Sequence, residues 1–297
     1  MIEPFKHLEN RQMRLSKLAL IGGFLIGWSS LPCQAQQPER VAVPLSNPGK
    51  PVKLEVSLMR GGITVKSYTG NEVIVETRVR QGGAEEDRAE RGHKNLEVEG
   101  KARGMKRLTN PTAGLEIEEE NNNVSVHSGS LGNAVDLVIQ VPAATSVKAS
   151  TIQDGDVVVE GVTGEIEASS TTGNVTLKGI SGAVVANALA GDINAVFTQL
   201  AADKTMSFTN LSGDIDLTLP AAARAKLKMK SDMGDIYSDF DMTMETVASG
   251  PQTEKPAKAG KFRVKIEKSI LGTINGGGPE LQLKTFTGSI YIRKAGK

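Results

Sequence analysis

The 297-residue chain carries 35 lysines and arginines against 34 aspartates and glutamates, a balance that gives no electrostatic case for nucleic acid or for an anionic lipid surface. Its 32 glycines and 4% aromatics point to turn-rich β structure and away from helical bundles. One cysteine in the whole sequence excludes a disulfide framework.

Residues 1–35 read as a secretory signal peptide. Arg14 and Lys17 precede an apolar run from Leu18 to Leu31, and the stretch from Cys33 to Ala35 supplies a cleavage site before Gln36. Glu3 and Glu9 suit a positively charged n-region poorly, which makes Met13 an alternative start. Pro32 stands where a lipidation site wants a small Ala or Gly, so Cys33 is not read as a lipid anchor. The apolar run has the length of a signal h-region and is broken by Gly22, Gly23 and Gly27, which argues against a membrane span. Cleavage removes Cys33 and Trp28, together with four basic and two acidic residues, and leaves 31 basic against 32 acidic. The mature chain is therefore expected to be exported, periplasmic or extracellular, with no membrane span of its own.

Residues 36–51 hold Pro38, Pro44 and Pro48 and little apolar periodicity, which predicts an exposed leader. From residue 52 to 297 a single β domain is expected. Val52, Leu54, Val56 and Leu58 alternate with polar residues, and Ile63, Val65, Val73, Val75 and Val79 continue the alternation after glycine turns. Residues 81–122 read as a charged insertion or solvated rim, with weak strands at Leu96 to Val98 and at Leu115 to Ile117. Alternation returns at Val135, Leu137, Ile139 and Val141 and ends at Pro142. Residues 241–261 read as a loop.

The repeat that follows is the most informative feature. Gly155, Gly164, Gly173, Gly182 and Gly191 recur every nine residues, with related glycines at Gly213, Gly234 and Gly288. Two places after these glycines stand Val157, Ile166, Val175, Val184, Ile193, Ile215, Ile236 and Ile290, all β-branched. A spacing of two puts such residues and their apolar followers on one strand face, and the glycine serves a turn where a side chain would clash. One such strand cannot bury its face alone, so stacked repeats are implied. The fold class predicted is all-β: a parallel β-solenoid or β-roll of about 18-residue coils, each of two nine-residue halves.

The segments Gly61-Gly62-Ile63-Thr64-Val65, Ile139-Gln140-Val141-Pro142, the Gly-Asp-Ile and Gly-Asp-Val repeats, Leu217-Thr218-Leu219-Pro220 and Ile274-Asn275-Gly276-Gly277-Gly278-Pro279 together resemble the bacterial "putative adhesin" domains of the DUF4097 type. The resemblance spans nearly all of residues 52 to 294. It implies an exported β-solenoid of unknown function, and it carries no catalytic residues to transfer.

Several constellations compete with plainer readings. Asp156, Asn174, Asp192, Asp214 and Asp235 directly follow repeat glycines and would form one column in a stack. A calcium ladder is the sharper interpretation. Turn chemistry is preferred, because the paired glycines of a calcium roll are absent and Asp and Asn favour turns. Parallel β-helices include polysaccharide-cleaving enzymes, which need clustered carboxylates. Here Glu85-Glu86 and Glu118-Glu119-Glu120 lie in the insertion, and the mature chain keeps only His93 and His127, read as surface residues. Asn275 to Gly278 lacks the Lys-Ser/Thr of a phosphate cradle and reads as a tight turn. Tyr68, Tyr237 and Tyr291 are weak candidates for a sugar platform, and Phe197, Phe208, Phe240, Phe262 and Phe286 read as core or end caps. The expectation is a non-enzymatic binding or scaffolding module of the bacterial envelope or cell exterior. Its partner would be an envelope protein or glycan, and it has no catalytic, cofactor or metal residues. The alternative is a carbohydrate-active enzyme of the β-helix class.

Overall fold

The computed structural model describes residues 39–80, 114–128, 134–248, 252–253, 264–265 and 268–296. The signal peptide, His93, Phe262 and most of the charged insertion lie outside the described residues. In chain order the strands are β1 (Glu39–Val43), β2 (Lys53–Arg60), β3 (Ile63–Tyr68), β4 (Val73–Val79), β5 (Leu115–Glu120), β6 (Asn123–Ser128), β7 (Val135–Pro142) and β8 (Ser146–Gln153). They continue with β9 (Val157–Glu160), β10 (Ile166–Ser170), β11 (Val175–Ile180), β12 (Val184–Ala190), β13 (Ile193–Phe197), β14 (Met206–Ser212), β15 (Ile215–Leu219) and β16 (Ala225–Met233). The remaining strands are β17 (Ile236–Ser238), β18 (Met242–Ala248), β19 (Gln252–Thr253), β20 (Val264–Lys265), β21 (Lys268–Ile274), β22 (Glu280–Thr287) and β23 (Ile290–Lys294).

The described residues are all-β, with no helix and no closed barrel. Two mixed sheets carry the structure. The first has ten strands in the order β1-β4-β7-β3-β9-β11-β13-β15-β23-β17, and the second has eleven in the order β18-β21-β16-β22-β14-β12-β10-β8-β2-β6-β5. A separate ribbon pairs β19 with β20.

Through the repeats the chain steps alternately from one sheet to the other, and the registers are parallel. Val175 stands between Val157 and Ile193 in the first sheet, and Ile166 lies beside Val184 in the second, each an offset of 18 residues. Alternation then fills the space between the sheets. In the first sheet Ile63, Val157, Val175, Ile193, Ile215 and Ile290 form one column, all 0% exposed. In the second, Leu54, Val147, Ile166, Val184 and Leu281 are buried on the facing side. Small Ala186 and Ala195 leave room that Phe197 and Phe208 fill edge to face, with ring centroids 6.2 Å apart.

The glycines stack as tightly as the repeat suggests. A Cβ on Gly173 would collide with the carbonyl of Gly155, one on Gly191 with that of Gly173, and one on Gly213 with that of Gly191. Gly191 and Gly213 also have φ of +127° and +136°, which other residues seldom adopt. The second turn line repeats the contact, with Gly182 against the carbonyl of Gly164.

Four expectations need correction. The leader is not free of the fold: β1 pairs antiparallel with β4, and Val43 and Leu45 are buried in the core. Its three prolines hide the signal, because they flank β1 and the turn after it without interrupting the strand. The rim of the insertion is more regular than expected: the strand foreseen at Leu115 to Ile117 runs on to Glu120 as β5, which pairs with β6 at one edge of the second sheet. Residues 241–261 contain β18, paired along its length with β21. Finally, the strands do not stack in chain order at either end. β2 and β3 lie between β6/β7 and β8/β9, while β22 and β23 lie between β14/β15 and β16/β17.

Candidate functional site

Three arrays of side chains organise the turns and surfaces, and the first two bond to the backbone of the turns. At the start of the first sheet's strands, Asn174 N–H donates to Asp156 Oδ1 at 2.7 Å. Asp192 N–H donates to Asn174 Oδ1 at 2.8 Å, and Asp214 N–H to Asp192 Oδ1 at 2.8 Å. Ser289 N–H continues to Asp214 Oδ1 at 2.7 Å, and Asp235 N–H ends on Ser289 Oγ at 3.3 Å. The column expected from the sequence thus exists, with Ser289 entering between Asp214 and Asp235, and each member before Asp235 caps the backbone of the next strand, where a turn reading has it cap its own. Adjacent carboxylates are separated by N–H dipoles, and among the described residues no cluster of three or more metal-ligating side chains occurs.

A second polar column backs the glycines from the other sheet. Thr151 Oγ1 donates to the Gly61 carbonyl at 2.7 Å and Ser170 Oγ to that of Gly155 at 3.2 Å. Asn210 Nδ2 reaches the Gly191 carbonyl at 2.8 Å, Thr285 Oγ1 that of Gly213 at 3.1 Å, and Ser231 Oγ that of Gly288 at 2.8 Å. Ala188 occupies the one register position between Ser170 and Asn210 that has no donor.

The array that faces outward is the candidate binding surface. Because side chains alternate across a strand, the residues between the buried positions of the second sheet line its outer face. Ser57, Ser150, Ser169, Asn187, Thr209 and Lys284 stand in register across six neighbouring strands. One step along, an apolar line runs beside them: Ile152 is 44% exposed, Leu189 49%, Leu211 49% and Phe286 48%. Between these columns lies an open groove of about 830 Å³, whose lining also includes Lys230, Lys284 and Asp232. Lys230 pairs with Asp232 at 3.4 Å. On the same face, a second groove of about 560 Å³ is rimmed by charge pairs, Lys148 with Glu55 at 3.3 Å and Lys204 with Glu165. The Lys204 ammonium holds the Glu165 carboxyl below its ordinary range. With strands about 4.8 Å apart, the floor offers one hydroxyl or amide per step to a ligand lying across the strands. The apolar line beside it would take that ligand's apolar edge.

The other sequence candidates are placed as follows. Tyr68 is spent on its own turn, its hydroxyl donating to the Glu72 carbonyl at 2.8 Å and accepting from Glu72 N–H at 3.1 Å. Tyr237 and Tyr291 stack on the outer face of the first sheet, with centroids 5.2 Å apart and planes 9° from parallel, and the Arg293 guanidinium lies 5.3 Å from the Tyr291 centroid. Asp235 raises the Tyr237 phenol above its usual range, by its charge first and then by accepting the hydroxyl's hydrogen bond at 3.3 Å. Phe197, Phe208 and Phe240 are buried, whereas Phe286 is not a core residue; it stands outward at an alternate position of β22. His127 is exposed on β6. Asn275 to Gly278 is a tight turn, with Gly277 N–H donating to the Ile274 carbonyl at 2.9 Å and Asn275 at φ 48°. Glu119 is likewise structural: it accepts from Ser46 N–H, Ser46 Oγ–H and Asn122 N–H at 2.8 to 3.1 Å, tying the segment after β1 to the β5–β6 turn.

Residues 146–275 match the model of the Toastrack DUF4097 family. The resemblance read from the glycine and strand motifs is to this family. Among solved structures, a "putative cell adhesion protein" from Clostridium sporogenes is similar over 87% of this chain and 100% of its own, at 10% identity and a TM-score of 0.42. A "putative adhesin" from Bacteroides fragilis is similar over 88% and 98%, at 8% identity and a TM-score of 0.29. No curated protein matches the sequence. Among the described residues, no helix is long and apolar enough to cross a membrane.

Proposed function

We propose that this Toastrack-type chain is an exported, non-enzymatic β-solenoid of about 18-residue coils that serves as a binding or scaffolding module of the bacterial envelope or cell exterior. Residues 1–35 would act as the signal peptide and be removed, leaving the mature chain periplasmic or extracellular. The observation that carries the reading is the outer face of the second sheet. Its row from Ser57 to Thr209, flanked by Leu189, Leu211 and Phe286, is suited to an extended ligand, either a glycan strand or a protein segment of the envelope. Exposed apolar side chains brought side by side and rimmed by polar ones favour an interaction site.

The test compares the full chain with L211D and F286D variants, whose side chains are half-exposed, so folding should be preserved. Fractionation should find the protein outside the cytoplasm only when residues 1–35 are present. Binding to isolated envelope polysaccharide, or to a defined partner recovered from the same fraction, should weaken at least tenfold in both variants. Equal binding by the variants would overturn the placement of the site. Release of reducing sugars or unsaturated products from a polysaccharide panel would overturn the non-enzymatic assignment.

A further inference from the structure

The two sheets do not end together. Beyond β16 the second sheet continues with β21 and β18, whereas the first sheet stops at β17, a strand of three residues paired only with β23. Among the described residues the inner face of that overhang has no opposing strand in the first sheet; Ile274 is buried and Met242 and Ile270 are partly buried against the core, so the open part of the face is at Met244. Register places Ile274, Gly272 and Ile270 of β21 beside Ala225, Leu227 and Met229, and Met242 and Met244 of β18 beside Ile274 and Gly272. All lie on the side that faces the interior elsewhere. Met244 is 66% exposed there. Ile236 is only partly buried, although its column mates Ile215 and Ile290 are 0% exposed.

The backbone and the capping column are equally unfinished. In a parallel pair alternate residues bond to one side, so Tyr237 faces β23 and the N–H and C=O groups of Ile236 and Ser238 point to the open edge. Asp235 is the last rung of the capping column. Its carboxylate receives the Tyr237 hydroxyl and, among the described residues, no backbone N–H from a further coil. The Tyr237 ring stacks on Tyr291 through one face and is 51% exposed.

We infer that this end of the stack is a strand-addition site, which takes an extended segment of a protein partner parallel to β17 and under the β21–β18 overhang. The segment is specified by the column it would continue. It carries a small or Asx residue whose N–H meets the Asp235 carboxylate, then an apolar β-branched residue to cover Ile236 and Met244, then a residue over Tyr237, then a second apolar residue. The chain's own repeat has this pattern in Gly213-Asp214-Ile215-Asp216-Leu217. A second copy fits less well. At the other end the first sheet passes β7 by two strands, β4 and β1, and the second passes β6 by one, β5. The overhang there is one strand, against two at the β17 end.

The test is a synthetic peptide of residues 212–219, Ser-Gly-Asp-Ile-Asp-Leu-Thr-Leu, added to the full chain, with a scrambled peptide as control. The expected result is saturable binding of the ordered sequence alone. Amide exchange should slow at Ile236 and Ser238, and affinity should fall at least tenfold in M244D, whose exposed side chain is outside the core. Equal binding of the scrambled peptide, unchanged affinity in M244D, or protection elsewhere would overturn the site. Concentration-dependent self-association abolished by M244D would overturn the choice of occupant, making it a second copy. The outer-face variants L211D and F286D should leave peptide binding unchanged, so failure here and failure of the envelope-binding proposal are distinguishable.

Discussion

Asp192 distinguishes a hydrogen-bonded column from a cation-bridged one. Its Oδ1 accepts from Asp214 N–H at 2.8 Å, and its own N–H donates to Asn174 Oδ1 at 2.8 Å. An asparagine offers the same Oδ1, as Asn174 already does one coil below. Asp192→Asn should therefore keep the bond and remove one carboxylate that stands beside Asp214. At a strand spacing of about 4.8 Å, the repulsion removed is about 0.9 kcal/mol at the dielectric constant of water, and salt screens it further. The variant should be neutral to slightly stabilised. Asp192→Ala loses the acceptor at an exposed position where water replaces it in part, at a cost of about 1 kcal/mol. For a domain of this size, about 1 kcal/mol lowers Tm by roughly 2–4 °C. Thermal unfolding of both variants, with and without millimolar calcium and with chelator, checks the reasoning. Asparagine as damaging as alanine, or a wild-type Tm that rises with calcium and falls with chelator, would refute it.

Three further outcomes follow from the packing. Val175→Asp places a carboxylate at a 0% exposed site between Val157 and Ile193, at a cost of several kcal/mol, and should abolish cooperative unfolding measured by circular dichroism. Ala188→Ser supplies the missing donor between Ser170 and Asn210, aimed at the Gly173 carbonyl, and should raise stability by about 1 kcal/mol in urea unfolding; a destabilised variant would argue against the donor column. The Glu119 carboxyl is held below its ordinary range first by Ser46 N–H, then by Asn122 N–H and the Ser46 hydroxyl. A depressed folded pKa contributes stability that is present above the unfolded value and is lost as pH falls through the folded one. E119Q should thus melt below wild type at pH 7, and the gap should close below about pH 4, as followed by melting across a pH series.

The inner columns were legible because alternation leaves no second interpretation. In Val157-Val158-Val159 and Ile215-Asp216-Leu217 the outer two residues must share a face, and the glycine two places earlier marks where coils touch. The outward columns were in the same sequence but carried no periodic mark: Ile152, Leu189, Leu211 and Phe286 interrupt polar faces singly, and only register across strands makes them a line. The Asx residues are visible in the sequence but their partner is not, since a side chain that caps its own turn and one that caps the neighbouring strand leave the same pattern in one dimension. Strand order was hidden for a physical reason. Coils with the same β-branched column are nearly interchangeable neighbours, so hydrophobic pattern alone cannot place β22 beside β14 instead of at the end.

That interchangeability also explains what the ends are built to prevent. Neighbouring parallel strands that bury equivalent columns can exchange partners at little cost in buried area, and open strand edges are templates for wrong pairing. Placing β2/β3 and β22/β23 each between two neighbours means that these four strands are held from both sides. Slippage of either pair would expose two strand edges together. At the far side of β7, the antiparallel strands β4 and β1 close the first sheet, and Arg80 grips Asp136 through two nitrogens at 2.6 Å each. β5 closes the second sheet, with Glu119 and Asn122 pinning the chain across it. At the opposite side β18 and β21 close the second sheet alone, in the antiparallel sense that the repeat cannot extend. Among the described residues the β17 edge alone still presents the parallel register, the Asx rung and the apolar column, so it is where the rules that built the stack would accept another strand.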